Sequence, residues 1–115
     1  EGTKIDNLFH IGHNVVVGQH CINVALSGIA GSTHVGDYVT IAAQVGIAGH
    51  LKIGSKSTLA AQTGVTADIP ENAACWGTPA SPFKDACRQY AAIKKLPALI
   101  KEVHSLKRKL DSPGN

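Results

Sequence analysis

Every sixth residue from Ile5 is aliphatic over a long run: Ile5, Ile11, Val17, Ile29, Val35, Ile41, Ile47, Ile53, Leu59 and Val65 keep the spacing, and Asn23 is the one exception. The next residue is usually small (Gly12, Gly18, Ala30, Gly36, Ala42, Ala48, Gly54, Ala60), and the fourth is often small or β-branched (Val15, Ser27, Thr33, Val39, Val45, Ser57, Thr63). This is the hexapeptide repeat of an all-β parallel β-helix. On a short strand, alternate side chains face inward, so the aliphatic and the residue two before it are expected inside, with the small neighbour permitting the corner. Three sides make one coil, so the run amounts to slightly under four coils stacked about 4.8 Å apart. Asn23 is either a buried ladder residue paired within the coil or the mark of an irregular turn.

The repeat is already running at residue 1 without a cap, and solenoids normally cap their ends, so the chain is expected to be a truncated piece. The coils are assigned to residues 1–69. A loop punctuated by Pro70, Gly77, Pro79 and Pro82 takes 70–82, and a helical tail takes 83–111. Ser81 is the expected N-cap, Pro82 the first helical residue and Pro97 a break. Beyond it, Leu96, Leu99, Val103, Leu106 and Leu110 alternate by threes and fours, a seam that suits helix packing and is explained more simply by packing on the coil.

Aromatic residues are only 4% of the chain while glycine has 12 copies, which favours a core of stacked aliphatics. Cys21, Cys75 and Cys87 are an odd set without short metal-type spacing, so reduced thiols in a cytoplasmic protein are expected. No apolar stretch is long enough to span a membrane, and residues 1–9 lack a signal-peptide layout. Residues 1–83 hold three Lys/Arg against five acids, and residues 84–115 hold eight against three. The tail is therefore the place for an acidic partner, with a merely solvated helix face as the alternative.

Stacking residues 18 apart puts His13, Gly31 and the pair Gly49–His50 on one face of three successive coils. Such a column suits acyl transfer. A histidine can take the proton of an attacking amine or hydroxyl, and a glycine lets an acyl carbonyl approach a backbone N–H that stabilises the oxyanion. Spacing alone leaves open that His13 merely decorates an outer face. Cys21 and Ser27 fall on inward positions, which argues against a covalent acyl-enzyme. His20 and His34 occupy other faces and His104 the helix, so no three ligands stand at matching heights and no metal is expected.

The stretches IDNLFHIGHNV (5–15), GIAGS (28–32), QVGIAGHLKIG (44–54), AQTGVTADIP (61–70) and GTPASP (77–82) closely resemble the C-terminal half of the UDP-3-O-acylglucosamine N-acyltransferases. The resemblance implies a left-handed coil, a homotrimer and no cofactor. It implies transfer of a 3-hydroxyacyl chain from acyl carrier protein to the 2-amino group of UDP-3-O-(3-hydroxyacyl)glucosamine, a step of lipid A biosynthesis. His13 falls on the catalytic base, Gly31 on the glycine whose amide serves the acyl carbonyl, and His50 on the second active-site histidine. Asn7 looks like a substrate-positioning residue, and a coil-stabilising amide is an equal reading of it. His10, which stands where relatives commonly carry glutamine, is grouped with Asn7.

The resemblance also places AQTGVT near the acyl chain, where Gly64 would leave room for a long one. It makes the acidic carrier protein the partner for the basic tail, at Lys84, Arg88, Lys94 and Lys95. The loop ENAACWGTPA departs from the family's usual tyrosine-containing stretch, so Trp76 and Cys75 are expected to reshape the acyl or carrier contact. The expected place is the cytoplasm, with a peripheral position at the inner membrane left open. Two other readings stand beside this one: a different acyltransferase on the same scaffold using acyl-CoA, and a trimerising carrier-binding module without turnover.

Overall fold

The computed structural model describes residues 1–112 of the chain. Two-residue strands recur at the hexad spacing: β1 (Lys4–Ile5), β2 (His10–Ile11), β3 (Val16–Val17), β4 (Ile22–Asn23), β5 (Gly28–Ile29), β6 (His34–Val35), β7 (Thr40–Ile41), β8 (Gly46–Ile47), β9 (Lys52–Ile53), β10 (Thr58–Leu59) and β11 (Gly64–Val65). They form three parallel sheets, β1-β4-β7-β10, β2-β5-β8-β11 and β3-β6-β9, which are the three sides of a parallel β-helix of about four turns. The register is the coil repeat itself, with Ile11 opposite Ile29, Ile29 opposite Ile47 and Ile47 opposite Val65.

The second residue of each strand faces inward, and Ile29, Ile41, Ile53, Leu59 and Val65 are fully buried. Each such side chain contributes about 1.5–3 kcal/mol of burial. The second inward position holds Val39 and Val45, and also Ser27, Thr33, Ser57 and Thr63, whose hydroxyls are satisfied by carbonyls. Ser27 Oγ donates to Ala42 O at 2.7 Å and accepts from Val45 N–H at 2.9 Å. Asn23 is a regular member of its column, between Ile5 and Ile41.

The corners differ from expectation. The left-handed corner residues recur every six places from Gly2, and after it none is glycine: Leu8, Asn14, His20, Leu26, Ser32, Tyr38, Gln44, His50, Lys56 and Gln62. A positive φ costs such residues on the order of 1 kcal/mol each. The coil offsets this, because the N–H of each from Ser32 to Gln62 donates to a carbonyl of the preceding coil, as Tyr38 does to Gln19 O at 2.8 Å. The small residue beside the aliphatic answers to crowding instead: a Cβ at Gly36 would lie 2.7 Å from Ser55 N.

Within 70–82 the chain is more ordered than a loop. Strand β12 (Ala74–Trp76) continues the first sheet in parallel with β10, and β13 (Ser81–Pro82) turns back against β12. Helix α1 then runs unbroken over Phe83–Asp111 with Pro97 inside it. The break expected at Pro97 does not occur. Pro82 rather than Ser81 is the N-cap, and no side chain caps the helix, since Ser81 Oγ turns instead to Trp76 O.

The seam does not pack on the coil. Only Ala86 of α1 is buried, and Leu96, Leu99, Val103 and Leu106 stand about half exposed. The helix makes its main contacts with β12 and β13, and the molecule extends 74 Å along its long axis. Its base is held by Trp76, which stacks on Phe83 with centroids 5.6 Å apart and meets Tyr90 at 4.8 Å. None of the described helices is long and apolar enough to cross a membrane.

Candidate active site

Three corners connect the β2-β5-β8 face to the β3-β6-β9 face, one per coil, and the register puts His13, Gly31 and Gly49 at their first positions in a line. His50 is one residue further on, at the left-handed position below Ser32 and Asn14. The two histidines therefore lie in adjacent columns of one edge. Backbone bonds tie the three rungs together: Ser32 N–H donates to His13 O at 2.9 Å and His50 N–H to Gly31 O at 3.1 Å.

His13 is exposed, and its ring leans over Gly31. Nδ1 lies 3.7 Å from the point a Cβ of residue 31 would occupy. A Cβ there would touch the imidazole at ordinary contact distance and press on His13 O at 3.1 Å, so glycine leaves the Gly31 backbone open to a ligand. Gly31 N–H finds no hydrogen-bond acceptor among the described residues. A base and an unused amide donor thus stand one rung apart on a solvent-facing edge, the two groups that acyl transfer from a carbonyl requires.

Asn7 lies at a different corner, at the far end of β2 from His13. Its N–H donates to Asp6 Oδ1 at 2.7 Å, and its Oδ1 accepts from Leu8 N–H at 3.1 Å. His10 sits between the two corners, on the outer face of β2, beside Gly28. Below it, that face is bare at Gly46, where a Cβ would meet nothing within 4 Å. At Gly64 the face is covered, since a Cβ there would lie 2.8 Å from Thr78 Cγ2. The room expected at Gly64 is therefore filled by Thr78, and the open position is Gly46.

Lys84, Arg88, Lys94 and Lys95 are all exposed on α1. Lys94 and Lys95 border a cleft of about 420 Å³ with Trp76, Cys87 and Tyr90, which does not include Lys84 or Arg88. The Trp76–Phe83–Tyr90 cluster went unread in the sequence, although three aromatics within fifteen residues of an aromatic-poor chain are a usable signal. His20 is spent on a stack with Tyr38, centroids 5.0 Å apart. Among the described residues no group of three or more His, Cys, Asp or Glu is placed to hold a metal ion. Cys21 and Cys75 are buried, and desolvation pushes the Cys75 thiol up, away from the reactive thiolate.

No family model matches the chain. Its similarity is to curated proteins. The UDP-3-O-acylglucosamine N-acyltransferase of Anaeromyxobacter sp. (strain Fw109-5) is 57% identical over 110 residues, 96% of this chain and 31% of the relative. That of Methylobacterium sp. (strain 4-46) is 48% identical over 98 residues, 85% of this chain and 28% of the relative. The chain spans about a third of the length of the curated relatives it matches, at their C-terminal portion. Among solved structures, a serine acetyltransferase of Neisseria gonorrhoeae, in complex with serine, superposes with a TM-score of 0.60 at 24% identity, over 70% of this chain and 39% of that one. PerB of Caulobacter crescentus, solved with CoA and GDP-perosamine, gives 0.60 at 16%, over 70% of this chain and 54% of that one. These two likenesses concern the fold.

Proposed function

We propose, for a chain that matches the C-terminal portion of the UDP-3-O-acylglucosamine N-acyltransferases over nearly its whole length, that it carries the acyl-transfer edge of such an enzyme. The reaction moves a 3-hydroxyacyl chain from acyl carrier protein to the 2-amino group of UDP-3-O-(3-hydroxyacyl)glucosamine, as a step of lipid A biosynthesis. The observation that carries the reading is the His13 imidazole set over Gly31, whose N–H is unused.

The amine nitrogen attacks the thioester carbonyl carbon, forming the C–N bond, while His13 takes the proton that nitrogen sheds. Gly31 N–H stabilises the oxyanion, a contribution worth about 10²–10³ in rate for a single donor. The C–S bond then breaks, and the carrier's sulfur leaves with a proton from His13. His50, on the adjacent column, binds the acyl group, and Asn7 and His10 position the sugar-nucleotide from the other end of β2. No acyl-enzyme is formed, in keeping with the burial of Cys21, Cys75 and Ser27.

The enzyme works as a homotrimer, which the exposed seam of α1 supports. Lys84, Arg88, Lys94 and Lys95 receive the acidic carrier protein, which places the enzyme in the cytoplasm, where that carrier is loaded.

The test is transfer from 3-hydroxyacyl carrier protein to the UDP-sugar by a chain extended to its relatives' length, wild type beside His13→Ala. Loss of transfer at unchanged trimer mass supports the assignment. Wild-type turnover in the variant removes His13 from the mechanism. Turnover with acyl-CoA but not with the carrier-bound donor replaces the donor.

A further inference from the structure

Where the β3-β6-β9 face turns into the β1-β4-β7-β10 face, the first N–H of the corner is capped by a side chain from the next coil. Gln19 N–H donates to Asp37 Oδ1 at 2.8 Å, and Asp37 N–H donates to Ser55 Oγ at 2.9 Å, each 18 residues away. The capping oxygen fits because the residue before each capped amide is glycine. A Cβ on Gly18 would collide with Asp37 Oδ1, and one on Gly36 with Ser55 Oγ.

Both conditions are reversed at the corner of Gly31. The residue before it is Ala30, whose Cβ occupies the position that at Gly18 and Gly36 would collide with the capping oxygen. The residue one coil on is Gly49, which has no side chain to supply one, and the Ala30 methyl is 3.8 Å from the point its Cβ would take. Two corners of one solenoid, built on the same repeat, thus treat the same amide in opposite ways. An amide already bonded inside the protein must give up that partner before it can stabilise developing charge, whereas a free one is preorganised.

We infer that Ala30 and Gly49 are positioning residues that keep Gly31 N–H uncapped for the carbonyl oxygen of the acyl donor. This rests on the reading of Gly31 as the oxyanion donor. Neither residue touches the reacting atoms. They act by excluding the side-chain cap that the neighbouring edge places on Gln19 and Asp37.

The experiment transplants the capped pattern. The double variant Ala30→Gly, Gly49→Ser rebuilds Gly36, Asp37 and Ser55 at 30, 31 and 49, and two quantities are measured: exchange of the Gly31 amide proton by NMR, and kcat with the donor KM. The expected result is slowed exchange at Gly31 and kcat lower by about 10²-fold with a small change in KM, the cost of losing one oxyanion donor. Gly49→Ala adds the Cβ, which would lie 2.9 Å from Gly31 O, without an acceptor, and its kcat loss is expected to be at least about tenfold smaller. Unchanged exchange at Gly31 in the double variant overturns the inference, as does a loss in Gly49→Ala equal to that of the double variant. Slowed exchange with unchanged kcat leaves the capping intact and overturns the role of Gly31. Should the double variant not fold, Ser55→Gly tests the rule away from the site: exchange at the Asp37 amide rises if Ser55 Oγ caps it, and no rise overturns the capping rule on which the inference stands.

Discussion

Replacing Asn23 by leucine should stabilise the coil. Asn23 is 1% exposed, in a column of Ile5, Ile41 and Leu59, and its Oδ1 has no hydrogen-bond partner. Its other terminal atom, Nδ2, donates to Lys4 O at 3.3 Å, a long bond to a residue that is itself exposed. An unsatisfied buried acceptor costs about 1–3 kcal/mol, while the bond lost on substitution contributes about 0.5–1 kcal/mol net. Lys4 O can turn to water once released. Leucine has the same branching as asparagine, and Leu59 shows that the column accepts it, so the strain of overpacking is small. The balance is a gain of about 0–2.5 kcal/mol in Asn23→Leu, with Asn23→Ala less stable than wild type because it loses the bond and leaves a void. Urea unfolding followed by circular dichroism reads this as a higher midpoint at unchanged slope. A midpoint for Asn23→Leu at or below that of wild type would refute the reasoning and mean that Oδ1 is satisfied in solution.

Gly46→Ala is expected to raise stability by about 0.5–1 kcal/mol, because the site is open and alanine restricts the unfolded chain, while Gly64→Ala lowers it by displacing Thr78 from its 3.2 Å bond to Gln62 O; thermal melts of opposite sign check the pair. If the acyl chain runs down that face, Gly46→Met shortens the preferred chain in competition assays more than Gly64→Met does, and equal effects would discard the assignment. Trp76→Ala should loosen the base of α1, seen as faster amide exchange over its first turns at intact coil exchange. Val103→Glu should lower the sedimentation mass toward a single chain if the α1 seam joins copies of the protein. Native protein should lose one thiol, Cys87, quickly to a thiol reagent, with Cys21 and Cys75 reacting on unfolding, since burial raises the Cys75 thiol and shields both.

The coils were legible because their information is periodic. One inward side chain every six residues fixes strand, face and register together, and the 18-residue offset of Ile11, Ile29 and Ile47 turns linear spacing into vertical stacking. That is why the sequence alone sets His13 and Gly31 one above the other. His50 was placed on the same edge but one column away, a difference that face-level stacking does not resolve. The tail was misread where tertiary context overrides local preference. Pro97 costs the helix a hydrogen bond and a clash without ending it, and a seam says nothing about which body covers it. Thr78 over Gly64 was hidden for a related reason, because the repeat has ended before residue 78 and periodicity no longer predicts what a side chain meets.

In a solenoid of this kind the backbone hydrogen bonds are spent in the same way on every coil, so the corners begin as equivalent sites. They are told apart by what the next coil lends them. Asp37 and Ser55 close two amides of one edge, while on another edge Ala25 and Ala43 lend no cap and no imidazole. On the edge of His13 the glycines at 31 and 49 lend nothing, so a donor and a base stay in the open within one rung. On the proposed reading, reactivity at that edge depends on side chains left out as well as on the histidine put in. A search of such repeats for function should therefore look for the edge where an uncapped amide and an imidazole coincide.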